Sequence, residues 1–323
     1  MKKSPVVKRG IMGFFQTPTG RNVVLLATSA TTLGLFVVNF MPHTMCLKYY
    51  KDFVQCYQNG IPRPVPEKVK ERLEKALDVL QLEAYERKII KPFTVFGFDL
   101  FQAGSTKYRF GGALGIPVNY AYSDPKDINR QDIRFRDQTI DWNTDAGKLL
   151  QDAIVLTDDE QLFGLCKSVL QLQTHRVLLN SLFPSFSFLS MYTIGHYLNL
   201  RMNLLAGPFS LRLVMYTILG LFGVGSWSFM KDFNQVRYDT EIDKKLCSLG
   251  PQYVEAGASY YGKLLKKNMA LRELIGDDTY SARGNVNYFL RQKSLPLTVH
   301  KSYFEEKLQE LRQKTQTPTE MQN

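Results

Sequence analysis

Three stretches of the chain are apolar without interruption for long enough to cross a bilayer, and the remainder alternates with the periods of amphipathic helices and half-buried strands. Residues 23–41 hold no charge, and a helix needs about 20 apolar residues to cross ~30 Å of hydrocarbon. A cleaved signal peptide has a shorter apolar core of ~7–15 residues and a small-residue cleavage site behind it, neither of which is present. Residues 177–200 form a second run, interrupted by His196 and by Pro184 in its early turns. A proline is tolerated there because neighbouring helices can re-satisfy the freed carbonyl. The third run, 213–230, is uncharged and spaces Gly220, Gly223 and Ser226 as a closely packed helix would. Runs two and three, joined only by residues 201–212, predict a helical hairpin.

Between and after the spans the periods change. Behind a link marked by Pro62, Pro64 and Pro66, the positions Val69, Leu73, Leu77 and Leu80 fall on one helical face, with Glu71 and Lys75 paired on another. Phe96, Phe98 and Leu100 alternate with Val95, Gly97 and Asp99, which predicts a half-buried strand; Gly104 and Ser105 predict a turn toward a second strand near Tyr108–Phe110. Ile133 and Phe135, then Ile140 and Trp142, predict a hairpin across Asp137 and Gln138. Thr157 and Glu160 have capping-box spacing and open a helix expected to run through Leu165 and Val169 straight into the second span. Pro251 suits a first helical position, opening a helix with Val254, Tyr261, Leu264, Leu265 and Leu274. The polar residues 315–323 are expected to be a disordered tail. The fold class that follows is a membrane protein with three transmembrane α-helices, one N-terminal and then a hairpin. A mixed α/β soluble unit is built from the two segments 42–176 and 231–314.

Charge orients this arrangement. The net charge of +11 would suggest nucleic acid if it formed a stripe on a folded face, but it is concentrated beside the spans. Residues 1–22 carry Lys2, Lys3, Lys8, Arg9 and Arg21 with no acid, and the 201–212 loop carries Arg201 and Arg212 with none. The long segments are nearly neutral, with 19 bases against 18 acids in 42–176 and 15 against 12 in 231–323. Basic residues in short loops stay on the side from which insertion begins. These seven residues therefore place the N-terminus and the hairpin loop on one side, and both long segments on the other. The mean hydropathy of −0.21 agrees with most of the chain folding in water.

Candidate chemistry is sparse. Gly111-Gly112-Ala113-Leu114-Gly115 lacks both the Lys-Ser/Thr of a P-loop and the order of a dinucleotide fingerprint, and reads as a turn or bulge. His43, His175, His196 and His300 are scattered, and His196, near a helix end, fits the membrane interface better than a proton path. Cys46 and Cys56 have nine residues between them and no second such pair, which reads as two unpaired thiols. No Ser-His-Asp or Cys-His context is singled out, so no catalytic, cofactor or metal site is expected. A transporter built by oligomerisation, or an enzyme whose site assembles only in three dimensions, remains the alternative. No N-x-Ser/Thr sequon occurs, which favours mitochondria over a glycosylating lumen.

Several short motifs resemble one family in their order. Lys91-Pro92-Phe93-Thr94-Val95-Phe96, Gly115-Ile116-Pro117, and Thr139-Ile140-Asp141-Trp142 with Ala146-Gly147 behind it are followed by Tyr261-x-Lys263-Leu264-Leu265-x-x-Asn268-x-Ala270-Leu271-Arg272, then Gly284-Asn285 and Leu295-Pro296. With the three spans they resemble the transmembrane protein 177 family of animals. That resemblance implies a mitochondrial inner-membrane protein acting in cytochrome c oxidase biogenesis, beside the inner-membrane chaperone of newly made oxidase subunit 2. It implies a non-enzymatic assembly factor with no catalytic residues to carry over, and leaves the motif residues Pro92, Gly115, Pro117, Asp141, Trp142, Asn268, Arg272, Gly284 and Asn285 without an assigned role. Combined with the charge pattern, it puts the N-terminus and the 201–212 loop in the matrix and the soluble segments in the intermembrane space.

Overall fold

The computed structural model describes residues 14, 17–130, 133–135, 138–204, 207–276 and 278–320. The chain divides into two compact units, one comprising Met1–Met41 and Leu178–Lys231, the other Pro42–Val177 and Asp232–Asn323.

The first unit is helical. Helix α1, Pro18–Phe40, starts with Thr17 as N-cap, its hydroxyl accepting from the Gly20 amide. Helix α7, Arg176–Arg201, and the apolar first part of α8, Phe209–Ser248, make the hairpin. All three helices are long and apolar enough to cross a membrane, α1 running on to His43 through a short 3₁₀ turn. Polar side chains within the spans tie helix to helix. Ser185 Oγ donates to the Thr32 carbonyl at 2.7 Å, Ser187 Oγ to the Gly223 carbonyl at 2.6 Å, and Asn199 Nδ2 to Tyr216 Oη at 2.6 Å. His196, at the far end of α7, is exposed and stacked on Tyr192.

The second unit is built around a three-stranded sheet of order β3-β5-β4, where β3 is Ile90–Val95, β4 is Phe101–Ser105 and β5 is Gly111–Pro117. Strands β3 and β5 are parallel, β4 and β5 antiparallel. One face of the sheet packs on the short helix α2, Leu47–Val54, through Leu47, Tyr50 and Val54 against Phe93, Val95, Phe101 and Ala103. The other face meets the main core, in which α3 (Glu67–Val79), α6 (Asp158–Leu172) and α9 (Pro251–Ile275) contribute Val69, Leu73, Leu77, Phe163, Leu165, Val169, Val254 and Tyr261. Ile242 and Leu246 of α8 and Phe304 of α10 (Leu297–Glu320) complete it. The two soluble segments thus share one core, as the fold class requires. A second cluster gathers Trp142, Tyr122, Ile128, and Leu150 and Ile154 of α5 (Asp145–Ile154), against Ala270 and Leu271. Among the described residues the remaining elements are helix α4, Ala84–Ile89, the 3₁₀ turns Val118–Ala121 and Pro125–Asp127, and two small hairpins, β1 (Tyr57–Gln58) with β2 (Ile61–Pro62) and β6 (Arg134–Phe135) with β7 (Gln138–Thr139).

The strands differ from their expected positions. The strand expected over 95–100 lies five residues earlier, over 90–95, because Gly97 sits at φ +85° and breaks the extended chain, leaving Phe96 exposed. Gly104 and Ser105 end β4, while Tyr108–Phe110 form the turn expected before them. The glycine-rich run is the buried central strand: Gly112, Leu114 and Ile116 face the helices and Ala113 and Gly115 face α2, so small residues there let both layers approach. The capping box at Thr157 and Glu160 is present, Thr157 N donating to Glu160 Oε2 at 2.7 Å. Helix α6 does not continue into the span, however. It ends at Leu172, where Gln173 caps it and Thr174 Oγ1 accepts from the Arg176 amide of α7. The end of the expected tail also differs, since residues 315–320 continue α10; adding residues to an existing helix costs far less than starting one.

Candidate functional site: a motif-framed cleft

The family-motif residues Asn268, Gly284 and Asn285 converge on one place. Helix α9 carries Leu264, Lys267 and Asn268 on the edge of a cleft of about 200 Å³, and the loop over 280–297 covers it with Tyr280, Tyr288, Gln292 and Leu295. Asp99, in the β3–β4 turn, closes one side. Asn268 anchors the loop by donating from Nδ2 to the Gly284 carbonyl at 2.8 Å. Gly284 adopts φ +80°, and a methyl group there would collide with the Leu265 carbonyl of α9, so only glycine lets the loop lie this close. Asn285 then reaches the start of α10: its Oδ1 accepts from the Thr298 amide at 3.1 Å and its Nδ2 donates to Thr298 Oγ1 at 3.0 Å. The Asn285 side chain thereby satisfies one of the amides that a helix start leaves without an intrahelical partner.

The cleft is polar at its base. Lys267 is only 4% exposed and its Nζ pairs with Asp99. An unpaired ammonium in that position would be expensive, and the carboxylate offsets much of that cost. The Tyr280 phenol is raised from its ordinary value by burial and, secondarily, by the Asp99 charge. Asn268 is 3% exposed and its Oδ1 has no hydrogen-bond partner.

Behind the cleft, the titratable side chains are used as ties between helices. Asp243 of α8 accepts from Tyr261 Oη of α9 at 2.9 Å and pairs with His300 Nδ1 of α10, whose ring stacks on Tyr261 at 4.5 Å. Asp239 Oδ2 accepts from the Leu295 amide at 3.2 Å. Glu160 accepts from Ser259 and pairs with Lys263 Nζ at 2.9 Å, and Arg72 joins Gln161 and Asp158. The Asp243–His300–Tyr261 set contains the residue types of an acid–base relay, yet all three are sealed in the core, which leaves no approach for a substrate. Burial pushes the Cys166 thiol up to about 12, which leaves almost no thiolate at neutral pH. Among the described residues neither Cys46 nor Cys56 is in a disulfide. Among the described residues no group of three or more His, Cys, Asp and Glu is placed to hold a metal.

The other motif residues serve the frame. Pro92 lies on the edge strand β3, where a missing amide is tolerated. Gly115 is paired between Phe93 and Phe101 with no room for a side chain, and Pro117 ends β5. Asp141 turns the chain before α5, its Oδ1 accepting from the Asn143 amide at 3.0 Å, and Trp142 is buried. Arg272 is exposed, its carbonyl accepting from Gly276 at the end of α9. Of the orienting residues, Arg21 is in the first turn of α1, Arg201 ends α7 and Arg212 is in the first turn of α8 over the Phe209 ring. Lys2, Lys3, Lys8 and Arg9 lie outside the described residues. Asp99, Lys267 and Asp243 were not legible as site residues. One signal was available: Lys267 falls on the helical stripe of Tyr260, Leu264 and Leu271, where an ionisable residue requires a buried partner.

Comparison with known proteins agrees with the motifs. A family model described as Transmembrane protein 177 matches residues 88–289. The chain is 27% identical over 295 residues to Transmembrane protein 177 of Rattus norvegicus, covering 88% of this chain and 94% of that protein. It is 26% identical to the Homo sapiens protein of that name, covering 83% and 87%, and 25% identical to that of Danio rerio, covering 78% and 83%. No solved structure matches.

Proposed function

The chain belongs to the transmembrane protein 177 family, and on that premise we propose that it is a non-enzymatic assembly factor of the mitochondrial inner membrane that stabilises the chaperone complex handling newly made cytochrome c oxidase subunit 2. One observation supports a scaffolding role above others. The motif residues Asn268, Gly284 and Asn285 shape and fasten a loop, and the acid–base side chains behind it are consumed in helix-to-helix ties. Residues used in this way shape a surface rather than a reaction centre. The helix-to-helix bonds of Ser185, Ser187 and Asn199 favour a packed bundle over a transport path. In this reading the N-terminus and the 201–212 loop face the matrix and the folded unit faces the intermembrane space.

A partner that binds only the assembled form of a complex stabilises it by mass action, by about 2.7 kcal/mol at a hundredfold excess over Kd. Loss of this protein is therefore expected to shorten the lifetime of subunit 2 and leave its synthesis intact. Pulse-chase labelling of mitochondrial translation products separates the two. Normal decay of subunit 2 in cells lacking the protein, or full rescue by the three spans without the folded unit, overturns the proposal.

A further inference from the structure

The loop that covers the cleft ends in a tip made of two large apolar residues. Phe289 is 87% exposed and Leu290 88% exposed, and Leu290 holds a left-handed backbone at φ 55°, where residues with a side chain are uncommon. Two adjacent large apolar side chains displayed in this way are a liability in water. The residue that follows fixes where they are. Arg291 grips Asp232 with both arms of its guanidinium, Nε at 2.9 Å and Nη2 at 2.8 Å. Asp232 belongs to α8, the helix that carries the third span, and stands two residues beyond Met230, the last residue of its apolar run. At 1.5 Å per helical residue this is about 3 Å along the axis, and two residues of extended chain reach back at most ~7 Å from Arg291 to Phe289. The tip is therefore tied through one side-chain pair to the helix just past its apolar run. Arg291 and Lys293 follow the tip in the chain, Lys293 lying over the Tyr288 ring at 5.3 Å. Aromatic and basic residues together are the side chains that a membrane–water interface favours.

We propose that Phe289 and Leu290 form a lipid-inserting tip that seats the loop over 280–297, and the cleft beneath it, on the bilayer surface where the third span emerges. The same geometry recurs beside the first span. Only residues 44–46 separate His43 from α2, and α2 packs Leu47, Tyr50 and Val54 inward while turning Tyr49 and Phe53 outward, Phe53 at 88% exposure. Lipid accounts for both surfaces because each is held within a few residues of a span's end, whereas a protein partner would have no reason to meet both at that place.

The test uses the full chain reconstituted into vesicles of equal parts phosphatidylcholine and phosphatidylglycerol, with a benzophenone amino acid replacing Phe289, or Leu221 of the third span as the lipid-facing reference. Irradiation is expected to give lipid adducts at both positions, identified by mass spectrometry of the labelled peptides. Adducts at Leu221 with only protein adducts at Phe289 would make the tip a protein-docking site, and adducts at Leu221 with none at Phe289 would leave it in water; either result overturns the proposal. A second measurement does not depend on the label. In the variant F289S/L290S, which keeps the Arg291 clamp, a protease is expected to cut the loop several-fold faster in vesicles, with no change for the same pair in lipid-free detergent. An equal change in both media would mean that the tip acts on folding alone and would refute a lipid contact.

Discussion

Trp142 shows how a single residue of the motif set carries stability. Its ring is buried with Leu150, Ile154 and Leu271, and the Arg130 guanidinium lies 5.8 Å from its centre. Trp142→Ala is expected to lower the stability of the folded unit by about 3–5 kcal/mol, as removal of a core aromatic does, read as a lower denaturation midpoint of the purified protein and lower steady-state levels in cells. Gly284→Ala is expected to loosen the cleft loop without unfolding the core, because the near contacts of the added methyl are with the backbone of Leu265. Limited proteolysis should then cut within 280–297 while residues 67–172 stay protected. Tyr120, Tyr260 and Tyr261 are fully enclosed, and burial raises all three phenols above their ordinary value of 10.0. The folded state thus holds these protons more tightly than the unfolded chain. The stabilisation is complete below pH 10 and is lost progressively above it. A thermal-stability profile in detergent should fall on the alkaline side above pH 10; a flat profile there would contradict the enclosure of these side chains.

At the scale of elements, helix boundaries decide what the spans are attached to. The capping box of α6 satisfies backbone donors that the apolar sequence cannot, and Thr157→Ala is expected to cost about 1 kcal/mol, measurable as a shift in denaturation midpoint. Between α6 and α7, Gln173 and Thr174 take over the backbone bonds, so the second span begins as a new helix. Nothing comparable interrupts the third span, and α8 continues for 40 residues to Ser248, carrying Asp232, Asp239 and Asp243 into the folded unit. Each of these carboxylates holds a different part of the C-terminal segment, through Arg291, Leu295 and His300. The last helices therefore depend on α8 as much as on their own apolar faces.

At the scale of the whole molecule, the charge pattern makes a topological prediction. Arg21, Arg201 and Arg212 lie at span ends, and the N-terminus and the 201–212 loop are expected to share a compartment. In mitochondria whose outer membrane has been opened, protease should digest the segments 42–176 and 231–323 and spare tags placed at the N-terminus and in the loop. Tags that report opposite compartments would exclude three crossings.

The sequence by itself determined the spans, the capping box, the first position of α9 and the resemblance to one family, because each rests on local signals: uninterrupted apolar length, a Thr and a Glu three residues apart, a proline suited to a helix start, short motifs in order. It left strand positions inexact around 95–117, where Gly97 breaks an otherwise alternating run and glycines in β5 erase the apolar signal of a buried strand. Beyond the misplaced charge of Lys267, the cleft and the partners in the buried ties were not legible, since Asp99 and Lys267 are 168 residues apart and Asp243 and His300 are 57 apart. Partners at such separations have no period, and only the folded chain chooses among the acids and bases available. Tertiary structure also decided that Phe289 and Leu290 are displayed rather than buried in the core, because the neighbouring Arg291 is committed to Asp232.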